Sequence, residues 1–490
     1  MQPIIARRWA GAAAAALSLV AALLSAAPQA SATTAFCSLT GLDNFYWDNE
    51  AHNGLWQDPV NWNHNGNAND IAPGTLGDTP YDDYACIPAG DIVQLDTGGQ
   101  GISADLAALD LGANAVLTVG RGGFLLLDGG PSGTARSVTR AGSTLGVVGS
   151  TLGGAATLTV QGTLNWTSVA DGAATQTTRR CDESEPPTCP GPTSSPGRTL
   201  IAAGGQMLIG GFGVNLEDSR IIENHGTTVL SGNGYLAADY GTSFVNDGQF
   251  VIQNGLGIFQ GRRHYNLPQR STFIDNGTLR KAAAGTSIID AAFTRPTGGN
   301  IEVTAGFLSI YGNLNGSSTI ASATVKQGAT FGTGACPPGA SSCAQPTPSN
   351  TDRQTTQVSL PALGTGSATV SMQELPGEKT AAMRTAPVEV KTPGASADPT
   401  HPMLYVFALD STLRRAGETA HGLAQTLQVA RRGDTDPAYA TVPNCGSTGP
   451  TAAHPSCVDR AASVSRTDKL ANGDVLLVVR TLQNSRWRVS

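Results

Sequence analysis

Between about Gly101 and Gly334, apolar and polar residues alternate in short runs punctuated by glycine. The clearest run is Thr157-Leu-Thr-Val-Gln-Gly-Thr-Leu-Asn-Trp166. Leu158, Val160, Leu164 and Trp166 fall on one of its faces, and Thr157, Thr159, Thr163 and Asn165 on the other. A period of two is that of a strand with one buried face. Helical periodicity is almost absent before residue 410, so the pattern predicts an all-β chain.

A phrase recurs along this stretch: Ile222-Glu-Asn-His-Gly226-Thr, Phe244-Val-Asn-Asp-Gly248-Gln and Phe273-Ile-Asp-Asn-Gly277-Thr. Asn224 to Asn246 is 22 residues, Asn246 to Asp275 is 29, and Gly277 to Gly299 is 22 again. Self-similarity at this period marks a solenoid whose units stack on one another. One coil then takes about 22 residues, and the longer interval holds seven more, placed in the polar stretch Gly261-Arg-Arg-His-Tyr-Asn-Leu-Pro268. A second excursion runs from Thr167 to Arg198. Within the phrase, Asn or Asp is expected to bond its own backbone and Gly to supply a positive φ. Residues one coil apart should touch, with Leu279 on Ile301 inside and Arg280 facing Glu302 outside. Roughly ten coils would make a rod on the order of 50 Å long.

A stack needs covered ends. Residues 33–100 carry Trp47, Trp56 and Trp62 beside Phe45, Tyr46, Tyr81 and Tyr84, and read as an N-terminal cap. Residues 101–335 are the coils, and 336–350 a Pro- and Ser-rich connection. Residues 351–490 read as a separate β-sandwich-like unit with strands at Ala368–Met372, Val388–Lys391, Met403–Leu409 and Val475–Thr481 and a helix around Ala420–Ala430.

Several segments carry a family likeness. Asn276-Gly-Thr-Leu-Arg-Lys281, Gly285-Thr-Ser-Ile288 and Asn300-Ile-Glu-Val303 followed by Gly306-Phe-Leu-Ser309 are similar to the coils of secreted bacterial β-helix proteins. The stretch from Trp56 to Trp62 and Cys86-Ile-Pro-Ala-Gly-Asp91 resemble the lead-in to such helices. Pro443-Asn-Cys445, Pro455-Ser-Cys-Val458, Gly473-Asp-Val475 and Trp487 resemble a module that closes some of them. The resemblance implies a right-handed parallel β-helix of the pectate-lyase-like kind. Folds of this kind host lyases, hydrolases, adhesins and proteins without activity. No segment matches the catalytic residues of the pectin-degrading families.

Residues 1–32 read as an export signal: Arg7 and Arg8, an apolar run from Ala10 to Ala27, then Ala30-Ser31-Ala32. No other stretch is long and apolar enough to span a bilayer. The chain carries −7 overall, and −9 once the two leader arginines are removed, which argues against nucleic acid or anionic lipid as a general partner. Eight cysteines in an exported chain imply disulfides, with 105 possible connectivities. Short loops close with the least entropy loss. That favours Cys181 with Cys189, Cys336 with Cys343 and Cys445 with Cys457, and leaves Cys37 with Cys86. Their spacing lacks a zinc-ligand pattern.

Candidate chemistry is sparse. Arg262, Arg263, His264 and Tyr265, with Arg270 nearby, suit the carboxylates or sulfates of an acidic polysaccharide, although solvating the stack is the ordinary use of such charges. Glu217 and Asp239 are one coil apart, where two carboxylates could act as acid and nucleophile of a glycosidase; both also sit among turn-forming residues. The N-terminal aromatics could stack on sugars or close the helix. Asp78, Asp82, Asp83, Asp43, Asp48 and Glu50 offer oxygen ligands, but match no calcium repeat, so no metal is expected. There is no Gly-x-Ser-x-Gly, no His-Glu-x-x-His and no nucleotide-binding glycine pattern, so no cofactor is expected either. The sequence therefore points to a secreted or surface β-helix protein contacting polysaccharide or another envelope component. A polysaccharide-active enzyme and a plain envelope spacer are its alternatives.

Overall fold

The short alternating runs become the strands of three long sheets. The computed structural model describes residues 36–64, 67–68, 71–74, 82–95, 101–170, 172–178, 196–239, 241–255, 258–260, 271–296, 299–311, 321–333, 354–447, 449–470 and 473–490. The chain is all-β, 47% strand and 6% helix, and Phe36–Ser490 form one unit. Among the described residues, nine successive coils each give one strand to each sheet. The first coil runs through Asp83–Ile87, Ile92–Leu95 and Ser103–Leu106, and the ninth through Ala292–Thr294, Asn300–Val303 and Phe307–Tyr311. Every pairing between consecutive coils is parallel, so the fold is a parallel β-helix.

The register is the one the repeat demands. Leu279 pairs with Ile301, both buried, and Arg280 pairs with Glu302, their charged atoms 3.9 Å apart at the surface. Leu236 pairs with Ile258, 22 residues on, whereas Ser243 pairs with Thr272, 29 on. The seven extra residues therefore lie between Gln260 and Thr272. The run Thr157–Trp166 is not one strand. It bends at Gln161-Gly162 into Thr157–Val160 of the first sheet and Thr163–Thr167 of the second, with Leu158, Val160, Leu164 and Trp166 still facing inward at 0% exposure. The excursion expected from Thr167 is also shorter, because Ala174–Gln176 is a third-sheet strand paired with both neighbouring coils.

The repeated phrase works differently from the turn chemistry expected of it. Gly226, Gly248 and Gly277 do not have positive φ. Each sits just before a second-sheet strand, where a Cβ would lie 2.2 Å from a carbonyl oxygen of the preceding coil. Glycine is needed there because the coils approach too closely for any side chain. Nor do the amides bond their own backbone. Asn224 Nδ2 donates to Asn246 Oδ1 at 2.8 Å, and Asn246 Nδ2 donates to Asp275 Oδ1 at 2.8 Å, forming a buried ladder along the axis. Phe244, Phe273 and Phe293 stack beside it, with centroids 5.2 and 5.6 Å apart.

Asp275 ends the ladder. Burial raises its pKa from 3.8 to about 6, only partly countered by the Asn246 bond and the charge of Arg295. The folded chain then holds a proton up to about pH 6 that the unfolded chain releases near pH 4, so this group's contribution to stability falls as pH rises between those values. By linkage, the two-unit shift is worth about 3 kcal/mol. Asp275→Asn should remove that loss: its stability relative to the parent should rise by about this amount between pH 4 and pH 7.5. Denaturation midpoints that run parallel for the two chains across this range would refute the assignment.

Both ends are closed by β structure. At the N-terminus, Asp43–Trp47 adds in parallel to Asp83–Ile87, and Cys37 is bonded to Cys86. Trp47, Trp56 and Trp62 pack edge to face at 2% exposure or less, which leaves them no face for a sugar. At the C-terminus the sequence suggests a unit standing apart. Instead, Ser367–Glu374 pairs antiparallel with Ala321–Lys326, and Gln354–Ser359 with Thr330–Thr333. The second and third sheets therefore run unbroken from the coils into the terminal sandwich, over a single hydrophobic cluster from Phe45 to Val489. The expected helix spans Ala420–Thr426; a second, Arg460–Thr467, was not anticipated, being a short helix capped by Asp459. Cys445 is bonded to Cys457. No described helix is long and apolar enough to cross a membrane.

Candidate functional site

Each coil turns three corners, and among the described strands of the nine coils the two widest sequence intervals occur at the same one, where the third sheet passes into the first. These are residues 177–197 and 261–271. Between them lie two short corners, 217–220 and 239–242, one coil apart. Glu217 and Asp239 begin these short corners.

Their placement follows from the strands before them. Val214–Leu216 pairs in register with Leu236–Ala238, and Asp239 N donates to Leu216 O at 2.8 Å. The two acids thus occupy equivalent positions on neighbouring coils, their backbones about 4.8 Å apart. Glu217 is half-buried, and Asp239 is 7% exposed. Both also serve the corner through their backbones: Arg220 N donates to Glu217 O at 3.2 Å, and Thr242 N donates to Asp239 O at 3.2 Å. Between the acids, Asp218 and Ser219 both hold positive φ, 54° and 60°, the one such consecutive pair of non-glycine residues among those described. Conformations of this kind persist only where surrounding structure enforces them, and they concentrate at functional sites. Here Thr177 Oγ1 donates to Asp218 Oδ2 at 2.6 Å.

Beneath this corner lies Arg220, fully buried. Nη1 donates to the carbonyls of Gly154 and Thr177 at 3.0 Å each, and Nε and Nη2 donate to Thr199 Oγ1 at 3.2 and 3.0 Å. Desolvation lowers its pKa to about 10. It ties together the backbone of consecutive coils where the chain leaves for residues 179–195. Lys281 replaces an aliphatic residue in the column between Ile252 and Val303, donating to the carbonyls of Asn254 and Ala284, and burial lowers its pKa to about 8. Sequence reasoning missed both. Only the register, which sends one side chain inward while its neighbours face out, reveals them.

The remaining candidates divide plainly. Arg262, Arg263, His264 and Tyr265, with Arg270, lie outside the described residues, as do Cys181, Cys189, Cys336, Cys343 and Asp78. Asp43, Asp82 and Asp83 do come together, with one carboxylate oxygen of each within 4.8 Å of the others. Asp83 also accepts from Gly74 N at 2.6 Å. Three carboxylates supply about half of the six to eight oxygens that Ca²⁺ takes. Asp48 instead bonds the backbone of Glu50.

The corner at Glu217 and Asp239 thus sets two acidic residues at equivalent backbone positions on neighbouring coils, beside the two connections that interrupt the repeat. Comparison of the chain with models of known protein families, with curated proteins and with solved structures finds no match.

Proposed function

We propose that this chain is an exported, disulfide-clipped β-helix of the pectate-lyase-like kind that binds polysaccharide or another component of the cell envelope without turning it over. One observation carries the reading: both long interruptions of the repeat fall on the edge where the third sheet turns into the first. Insertions confined to one edge of a solenoid commonly build its binding face. The two disulfides and the absence of a membrane-length helix among the described residues accord with export.

The test is retention of the full chain on a panel of immobilised acidic and neutral polysaccharides, with the eluate assayed for new chain ends. Retention without new ends is the expected outcome. Neither retention nor new ends would leave a spacer role. New reducing or unsaturated ends would establish an enzyme, the second reading, which is favoured by the in-register Glu217 and Asp239 flanking the positive-φ pair. In that event Glu217→Gln and Asp239→Asn should each lower the rate by at least about a hundredfold, the usual contribution of a positioned acid or base.

A further inference from the structure

The helices Ala420–Thr426 and Arg460–Thr467 pack side by side on strand Val475–Thr481 of the terminal sandwich. Between them lies an open groove of about 740 Å³, lined in part by Gln425, Arg460, Val464, Ser465, Asp468 and Lys469. Residues 460, 464 and 468 repeat every four positions, so one helical face presents a guanidinium, an apolar floor and a carboxylate to the same space.

The charges in this groove do not cancel. Asp468 is engaged by His421, whose Nδ1 lies 2.9 and 3.1 Å from the two carboxylate oxygens. The imidazole Nε2 lies 3.0 Å from Gln425 Nε2. An amide nitrogen can only donate, so Nε2 accepts and Nδ1 carries the proton given to Asp468. Arg460 directs its donors to neutral acceptors, Asn444 Oδ1 at 2.8 Å and the carbonyls of Ala424 and Leu427 at 3.1 and 2.7 Å. Its positive charge is therefore not offset by a carboxylate. Lys469, exposed at the groove, forms no ion pair among the described residues. Two cations thus face a single carboxylate already shared with an imidazole, on a chain whose overall charge is −7. A site of this kind selects an anion that also carries hydroxyls and an apolar face.

We propose that the groove binds a carboxylate-bearing sugar unit of an acidic polysaccharide. Lys469 meets the carboxylate, the charge of Arg460 adds to the positive field of the groove, Ser465, Gln425 and Asp468 take hydroxyls, and Val464 underlies the ring. This rests on the polysaccharide-binding reading above, to which it adds a second site and an acidic ligand class.

The experiment titrates the full chain by calorimetry with a uronate trisaccharide, with its neutral counterpart bearing hydroxymethyl groups in place of carboxylates, and with acetate. The uronate should bind at least tenfold more tightly than the neutral sugar, more weakly as salt is raised, and acetate should not bind measurably. Lys469→Glu should weaken uronate binding tenfold or more, and Ser465→Trp, which fills the groove, should abolish it. Both positions are exposed, so melting temperatures should not move. Uronate binding unaffected by both substitutions would place the site elsewhere and overturn the inference, while leaving polysaccharide binding intact. Equal affinity for the neutral sugar, or measurable binding of acetate, would overturn the ligand class. Failure of the full chain to be retained on any polysaccharide would remove both readings together.

Discussion

Gly248→Ala should destabilise the fold by at least about 3 kcal/mol, the upper range for overpacking a rigid interior. A Cβ at this position would lie 2.2 Å from Gly226 O, a backbone atom that cannot swing away as a side-chain tip would. Relief requires the two coils to separate. That would also lengthen Gln249 N to Gly226 O, 2.9 Å, and Asn224 Nδ2 to Asn246 Oδ1, 2.8 Å. Gly366→Ala is the control: its φ is not positive and its Cβ would meet nothing within 4 Å, so a change within about 0.5 kcal/mol is expected. Thermal and chemical unfolding of the two variants beside the parent decides the matter. If Gly248→Ala melts with Gly366→Ala, the coils are not packed at this spacing.

Arg220→Met should cost about 3 kcal/mol, and here opposing terms have to be weighed. Four hydrogen bonds from a charged donor are lost, each worth about 1.5 kcal/mol or more, and the Gly154 and Thr177 carbonyls lose a buried partner. Against this, a methionine carries no charge to desolvate. The fall of the arginine pKa from 12.5 to about 10 puts that relief at about 3 kcal/mol. Donor loss wins by a similar amount. Arg220→Lys should recover only part of the loss, because an ammonium cannot span the acceptors that the planar guanidinium reaches together. Hydrogen exchange gives the sharper readout: amides of the coils around Gly154, Thr177 and Thr199 should exchange faster, and those of the terminal sandwich should not. Uniform acceleration across the chain, or none, would contradict the tie assigned to Arg220.

Much of the architecture could be read in advance because a solenoid converts sequence interval directly into spatial contact. The pairs Leu279 with Ile301 and Arg280 with Glu302, the seven-residue insertion and the Cys445–Cys457 bond follow from spacing, and the Cys37–Cys86 bond from elimination once the short loops are paired. The placement of Glu217 beside Asp239 follows in the same way. The reason for a residue type was less legible. Gly248 is compatible equally with a turn or with a close approach, and Asn246 equally with its own backbone or with the next coil; the choice depends on distances between coils. His421 and Asp468, 47 positions apart, belong to no repeat and meet only because two helices pack on one strand.

The sequence by itself determined the strand period, the length of the coil and the neighbours one coil apart, because these depend on local alternation and on counting. Only the tertiary structure decided that glycine makes room between coils, that an amide ladder and Arg220 lie inside, and that the terminal sandwich continues two of the sheets. These depend on what lies across the stack from each residue. Desolvation and the close approach of one coil to the next act through that environment, which no stretch of chain contains alone.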